Sequence, residues 1–492
     1  MSSLARLSIA VQGGQLYWPD ERLYSQVIDI FDLNRGQPMA ITRALFGRQE
    51  HLGFAFISAV PAWVQLQLGH ALSRSGNGLM VLPAVVLSQI SVVAIALVYA
   101  IARRAGRPAR EALVAAGLAA SSTTLFYYAR HLLPYDSALC LGLLAVWCAL
   151  GDRRRDALGC GICAALAFIT YNGYWLLAGA AMTMHALRGA RQSFGTLVLR
   201  GLLTAGGFLL VPLILTVLEV AIGAPSLVGG MQRLAGTVTD GYAPEGFRVT
   251  WEYLWHAEHA LLLVWLAAVV FVALVGTWQT TGRTMALEWI GAAAFVYLGL
   301  SLTSALLHVF VVMGRQSRQL VPFLCLATAA VVAEVIDRYR WRAGLTSIVV
   351  ALFAVQVGAN LATPLRQRFP RDVISEITAK YGTVDHALSL DGPPLNNAHA
   401  ESRWLLLNAQ HLYHPRGVAV VPKGVELMRF AHPLEFLPYQ YEGFEPMERD
   451  VLRHLDISMR LIDRGVLPTP AAPTQAVPSV GGESGPTGGT SR

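Results

Sequence analysis

Long apolar runs without a charge, set apart by short arginine-rich loops, constrain this chain more than any other feature of its sequence. A bilayer core of about 30 Å takes about 20 apolar residues at the helical rise of about 1.5 Å per residue. Here 54% of residues are hydrophobic and only 14% charged, where an ordinary soluble domain carries about 25% charged residues. A soluble chain would interleave its charges along amphipathic helices, whereas these are clumped. The pattern predicts an all-α polytopic membrane protein rather than a soluble helical core.

Apolar spans are expected at about 79–102, 111–127, 135–151, 157–172, 174–187, 196–219, 259–279, 286–306, 319–336 and 343–362, about ten in all. The stretch 157–187 is too long for one crossing and is divided at Asn172-Gly173. Arg103, Arg104, Arg107 and Arg110 form one loop, and Arg153, Arg154 and Arg155 another. Arg188, Arg191 and Arg200 mark a third, Arg283 a fourth, and Arg338, Arg340 and Arg342 a fifth. With ten spans all five fall on one side, which the positive-inside rule makes cytoplasmic. The net charge of +7 is thereby a topology signal and not a nucleic-acid one.

Four regions follow. Residues 1–78 form an external region in which 52–70, apolar but surplus to the parity, is expected to lie as a helix in the interface; a true span is its alternative. Residues 79–362 form the transmembrane domain. Residues 363–464 mix β-like runs (387–390, 418–421, 426–430) with helical patterns (373–381, 403–413, 448–462), as a small soluble α/β domain would. Residues 465–492, dominated by Pro, Gly, Ser and Thr, are expected to be disordered. The N-terminus is placed outside with no helix ahead of it, and residues 1–14 are too short and mixed to span, so a first transmembrane helix is expected to be missing.

Ionisable residues cluster on the external side. Asp20-Glu21 follows Trp18-Pro19 and precedes an amphipathic helix; capping of that helix is the structural alternative to chemistry. Arg43, Arg48, Glu50 and His51 precede the interfacial helix. Arg130-His131 and Pro134-Tyr135-Asp136 stand at the mouth of a span. Arg315 and Arg318 open a late helix, either snorkelling to water or clamping a phosphate with their guanidinium forks. His256 and His259 flank Glu258 at i, i+3 spacing, with no third metal ligand evident. Cys160 and Cys163 have CxxC spacing inside an apolar run, where small residues ordinarily pack helices. The pattern indicates no cofactor and leaves a divalent metal open.

The order of these features resembles the GT-C class of polytopic glycosyltransferases, most closely the superfamily of protein O-mannosyltransferases and lipid A aminoarabinose transferases. The resemblance rests on Asp20-Glu21 in a first external loop, Glu50-His51 before the apolar 53–68 helix, Asp136 at an outer helix mouth, and Arg315-x-x-Arg318-x-x-x-Pro322. It covers roughly residues 15–362. In that family the acidic pair follows the first transmembrane helix.

The resemblance implies a sugar transferred from a polyprenyl phosphate to an acceptor hydroxyl of a glycan, lipid or protein. Transfer would take place on the non-cytoplasmic face of a bacterial-type inner membrane, with inversion. It implies Asp20 as base with Glu21 beside it, Glu50 as a second acidic position, and Asp136, Arg130, Arg315 and Arg318 at the donor phosphate. His51 stands where some relatives carry Lys, so a phosphate contact there requires the protonated imidazole; Tyr171 and Asn172 also lie where some relatives carry Lys. The alternative is a transporter or flippase of a lipid-linked sugar, which should show midplane charges and internal repeats; neither is evident in the sequence.

Overall fold

The computed structural model describes residues 2–11, 22–71, 81–238, 246–274, 280–307, 312–338, 342–366, 380, 385–387, 404–407, 425–430 and 459–463. These are mostly helical. Among the described residues five helices are long and apolar enough to cross a membrane: Leu52–Ala71, Val81–Arg104, Phe194–Ile222, Arg283–Ala305 and Gly314–Ile336. A sixth qualifies if the pair Ala109–Ser121 and Thr123–Arg130, bent by 69°, is one broken span. The helix read as interfacial is thus among the five, 20 residues long and unbroken through Pro61.

The other expected spans are short by this measure. Tyr135–Ala149 has 15 residues, Arg154–Thr170 has 17 and Trp175–Ala190 has 16. At about 1.5 Å per residue each reaches only about 22–26 Å. The break expected at Asn172-Gly173 is present as a single 3-10 turn, Asn172–Tyr174.

Local sequence explains the ends of the longest helix. Ser193 Oγ accepts from the Thr196 amide at the start of Phe194–Ile222, and Gly223, at φ 65°, closes it in the left-handed region. A side chain there would be strained. Its leucines and valines are largely exposed, among them Leu202, Leu209, Leu213 and Val217, as suits a lipid-facing helix. It crosses Arg154–Thr170 backbone to backbone. A Cβ on Gly161 would strike the Thr204 carbonyl and the Phe208 amide, and one on Gly207 would strike Leu158. Gly161→Leu should therefore cost about 1–3 kcal/mol of stability through overpacking. Heat challenge in detergent would show this against Gly201→Leu, which meets open space.

Ion pairs join the arginine-bearing loops to one another. Arg104 pairs with Asp156 (2.8 Å) and stacks on Trp147, Arg200 pairs with Asp152 (2.8 Å), and Arg188 pairs with Glu288 (3.1 Å). They lie at the end of the bundle where Tyr135–Ala149 finishes, so the start of that helix marks the opposite end.

Among the described residues four short strands form one sheet in the order 385–387, 404–407, 459–463, 425–430. The first pair is parallel and the other two antiparallel. Trp404–Leu407 and Met459–Asp463 correct the helical patterns read over 403–413 and 448–462. Both strands draw their hydrogen bonds from partners far along the chain, a tertiary effect that outweighs local pattern. The runs at 373–379 and 418–421 lie outside the described residues.

Candidate functional site

At the end of the bundle remote from the arginine loops, three corners of backbone meet: the 3-10 turn Tyr127–Arg130 with the start of Tyr135–Ala149, the turn Asn172–Tyr174, and the short helix Gly314–Ser317. Gln319 ties two of them. Its Nε2 donates to the carbonyls of Gly173 and Gln316 (both 3.0 Å), and its Oε1 accepts from the Leu177 amide (2.8 Å).

Arg318 and Asp136, 182 residues apart, form a buried ion pair here. Arg318 is wholly inaccessible and its guanidinium lies 4.4 Å from the Tyr128 ring centroid. It therefore does not snorkel to water, the structural alternative raised by its position. Among the described residues its Nε and Nη1 have no hydrogen-bond partner, nor does the buried Ser137 Oγ beside Asp136. Arg315 is half-buried; its Nη1 donates to Tyr135 Oη (3.2 Å), and its carbonyl accepts from Tyr174 Oη (3.2 Å).

Aromatic rings link this pair to the segment before Leu52–Ala71. Tyr128 packs edge-on to Tyr135, Tyr135 to Tyr171, and Tyr171 to Tyr174, with centroids 4.7–5.1 Å apart. His51 stacks on Tyr171 at 5.7 Å. Arg130 and His131 are buried in the same region, His131 against Tyr127 and Tyr128. Beside His51 opens a largely polar cavity of about 280 Å³ lined by Leu23, Gln26, Gly47, Arg48, Gln49 and Gly230.

Arg6 is a member that reading the sequence missed. It sits in the nine-residue helix Ser2–Ala10, fully buried, over the Phe126 ring at 4.8 Å. Its Nη2 donates to the Leu125 carbonyl (3.2 Å), and its Nε has no partner among the described residues. Burial lowers its pKa to about 10; Asp136 opposes that shift and Arg318 adds to it. The group stays protonated at neutral pH. Arg6 and Arg318 thus place two buried positive charges near one carboxylate, an excess charge that is costly to bury.

The other sequence candidates lie away from the Arg318–Asp136 pair or outside the described residues. Asp20 and Glu21 lie outside the described residues. Glu50 lies in the turn Gln49–His51, and its side chain is outside the described set. Arg43 donates from Nε to the Ile222 carbonyl (2.5 Å) and Arg48 to Gln26 Oε1 (2.7 Å). Glu258, between the two histidines, turns inward and caps the helix Thr123–Phe126: it accepts from the Thr123 and Thr124 amides (3.1 and 2.8 Å) and from Ser122 Oγ. Among the described residues no group of three or more His, Cys, Asp or Glu is placed to hold a metal ion. The cluster presents buried guanidinium N–H donors without partners among the described residues, a donor set whose chemistry suits an oxyanion. No protein-family model and no curated protein matches this chain.

Proposed function

We propose that the chain is a GT-C-type membrane glycosyltransferase that takes a sugar from a polyprenyl phosphate on the non-cytoplasmic face. One observation carries the reading: buried Arg318 has two unpartnered donors beside Asp136, with the charge of Arg6 adding to its own. A lipid phosphate would supply the missing acceptors and the missing negative charge. In this reading the bundle has ten spans, the short ones included, and residues 363–464 form a soluble α/β domain on the same face as the site.

The acceptor hydroxyl oxygen attacks the anomeric carbon as the bond from that carbon to the phosphate oxygen breaks. The phosphate keeps the electron pair, and Arg318 and Arg315 stabilise it. Asp20 takes the hydroxyl proton. The cavity beside His51 holds the acceptor; Glu21 and Glu50 keep the acidic roles that the resemblance implies.

Purified protein would be incubated with a panel of polyprenyl-phosphate sugars, following release of the lipid phosphate. Asp20→Asn should slow release by about a hundredfold or more while leaving membrane insertion intact; full activity in that variant would refute the base. Movement of labelled donor across vesicles without phosphate release would instead establish a transporter.

A further inference from the structure

A second feature lies at the arginine-loop end, independent of the transfer reading. Helices Trp175–Ala190 and Thr280–Ala305 touch where Gly299 meets Leu176 and are joined again where Arg188 and Arg191 pair with Glu288, and a groove opens between these two contacts. This wedge-like groove has a volume of about 270 Å³. Ala180, Met184, Leu187, Gly291 and Phe295 give it apolar walls. Arg188 and Arg191 stand at its mouth, both paired to the single carboxylate of Glu288 (3.1 and 2.5 Å). Arg188 Nε has no hydrogen-bond partner among the described residues.

We propose that this wedge binds one anionic glycerophospholipid, with an acyl chain between the helices and its phosphate at Arg188 and Arg191. Three properties select that occupant. The walls offer hydrocarbon contact and almost no polar group. From residue 180 to residue 191 the groove runs about 16 Å along the helix, close to the depth of one leaflet of a bilayer core. The mouth carries two guanidinium groups against one carboxylate, an excess positive charge that a phosphodiester neutralises. A zwitterionic lipid carries its own cation to the same place and gains less. A sugar or a free phosphate has no use for the apolar slot.

Native mass spectrometry of the full-length protein would compare phosphatidylglycerol with phosphatidylcholine of the same chains. Phosphatidylglycerol should bind more tightly by about thirtyfold, roughly fivefold for each arginine. Arg188→Gln with Arg191→Gln should erase that preference. Gly291→Leu fills the slot, since a side chain there meets nothing within 4 Å, and should lower binding of both lipids, whereas Gly201→Leu, in open space on another helix, should not. On the wild type, phosphatidylglycerol with a photoreactive acyl chain should label peptides covering 180–191 and 288–295. Equal binding of the two lipids, labelling elsewhere, or displacement by equimolar polyprenyl phosphate would each overturn the assignment.

Discussion

Asp136→Ala is expected to cost about 3–5 kcal/mol of stability, because it strands Arg318 as an uncompensated charge in a fully buried position. The loss should be visible as a lower survival temperature in detergent. The double variant Asp136→Ala with Arg318→Met should recover most of it, since an apolar replacement of a buried pair is often near neutral. The two variants should then part company in the presence of ligand. Polyprenyl phosphate at about 100 times its Kd stabilises a binding-competent fold by about 2.7 kcal/mol. It should rescue Asp136→Ala, where Arg318 still seeks an anion, and leave the double variant unchanged. Equal rescue of both would remove Arg318 from the phosphate site.

Glu258→Ala should be nearly as damaging. It takes the acceptor away from the amides of Thr123 and Thr124 and from Ser122 Oγ, and each buried donor left unsatisfied costs about 1–3 kcal/mol. Glu258→Gln keeps one carbonyl oxygen in place and should be far milder. Burial raises the Glu258 pKa above its ordinary 4.5, with the hydrogen bonds from Ser122, Thr123 and Thr124 opposing the shift. A raised folded-state pKa means that the group favours folding fully below its ordinary value and that the gain is lost as pH rises through the folded value. Glu258→Gln does not titrate, so the wild type should lose stability relative to it across that window. A parallel pH dependence in both proteins would place the titration elsewhere.

The helical, lipid-adapted character of the chain is legible because apolar length and charge clumping are local properties. So is the break at Asn172-Gly173, which Gly marks directly. Arg315, Arg318 and Asp136 were singled out as ionisable groups at helix mouths, and the structure brings all three to one end of the bundle. Arg6 was not legible. A lone arginine in a short apolar segment has no periodic partner in sequence, and the atoms that bury it belong to Leu125 and Phe126. The inward turn of Glu258 was hidden for the same reason, its three donors lying some 134–136 residues away. The strands at 404–407 and 459–463 show the converse failure: a local helical pattern gave way to pairing that only the folded chain supplies.

The 69° break between Ala109–Ser121 and Thr123–Arg130 has a consequence for biosynthesis. Besides Glu258, the corner is held by residues far downstream. Asn360 Nδ2 donates to the Ser121 carbonyl (2.7 Å), Thr123 Oγ1 donates to Asn360 Oδ1 (2.7 Å), and Gln356 Nε2 donates to Thr123 Oγ1 (3.0 Å). A nascent chain inserts the first half of this corner more than 230 residues before its clasp is synthesised. Until then Glu258 alone of these partners can hold the turn that carries Tyr127–Arg130, so the corner gains its full set of hydrogen bonds only once the helix Arg342–Arg366 has been made. Translation order thus delays the completed corner until nearly three-quarters of the polypeptide exists.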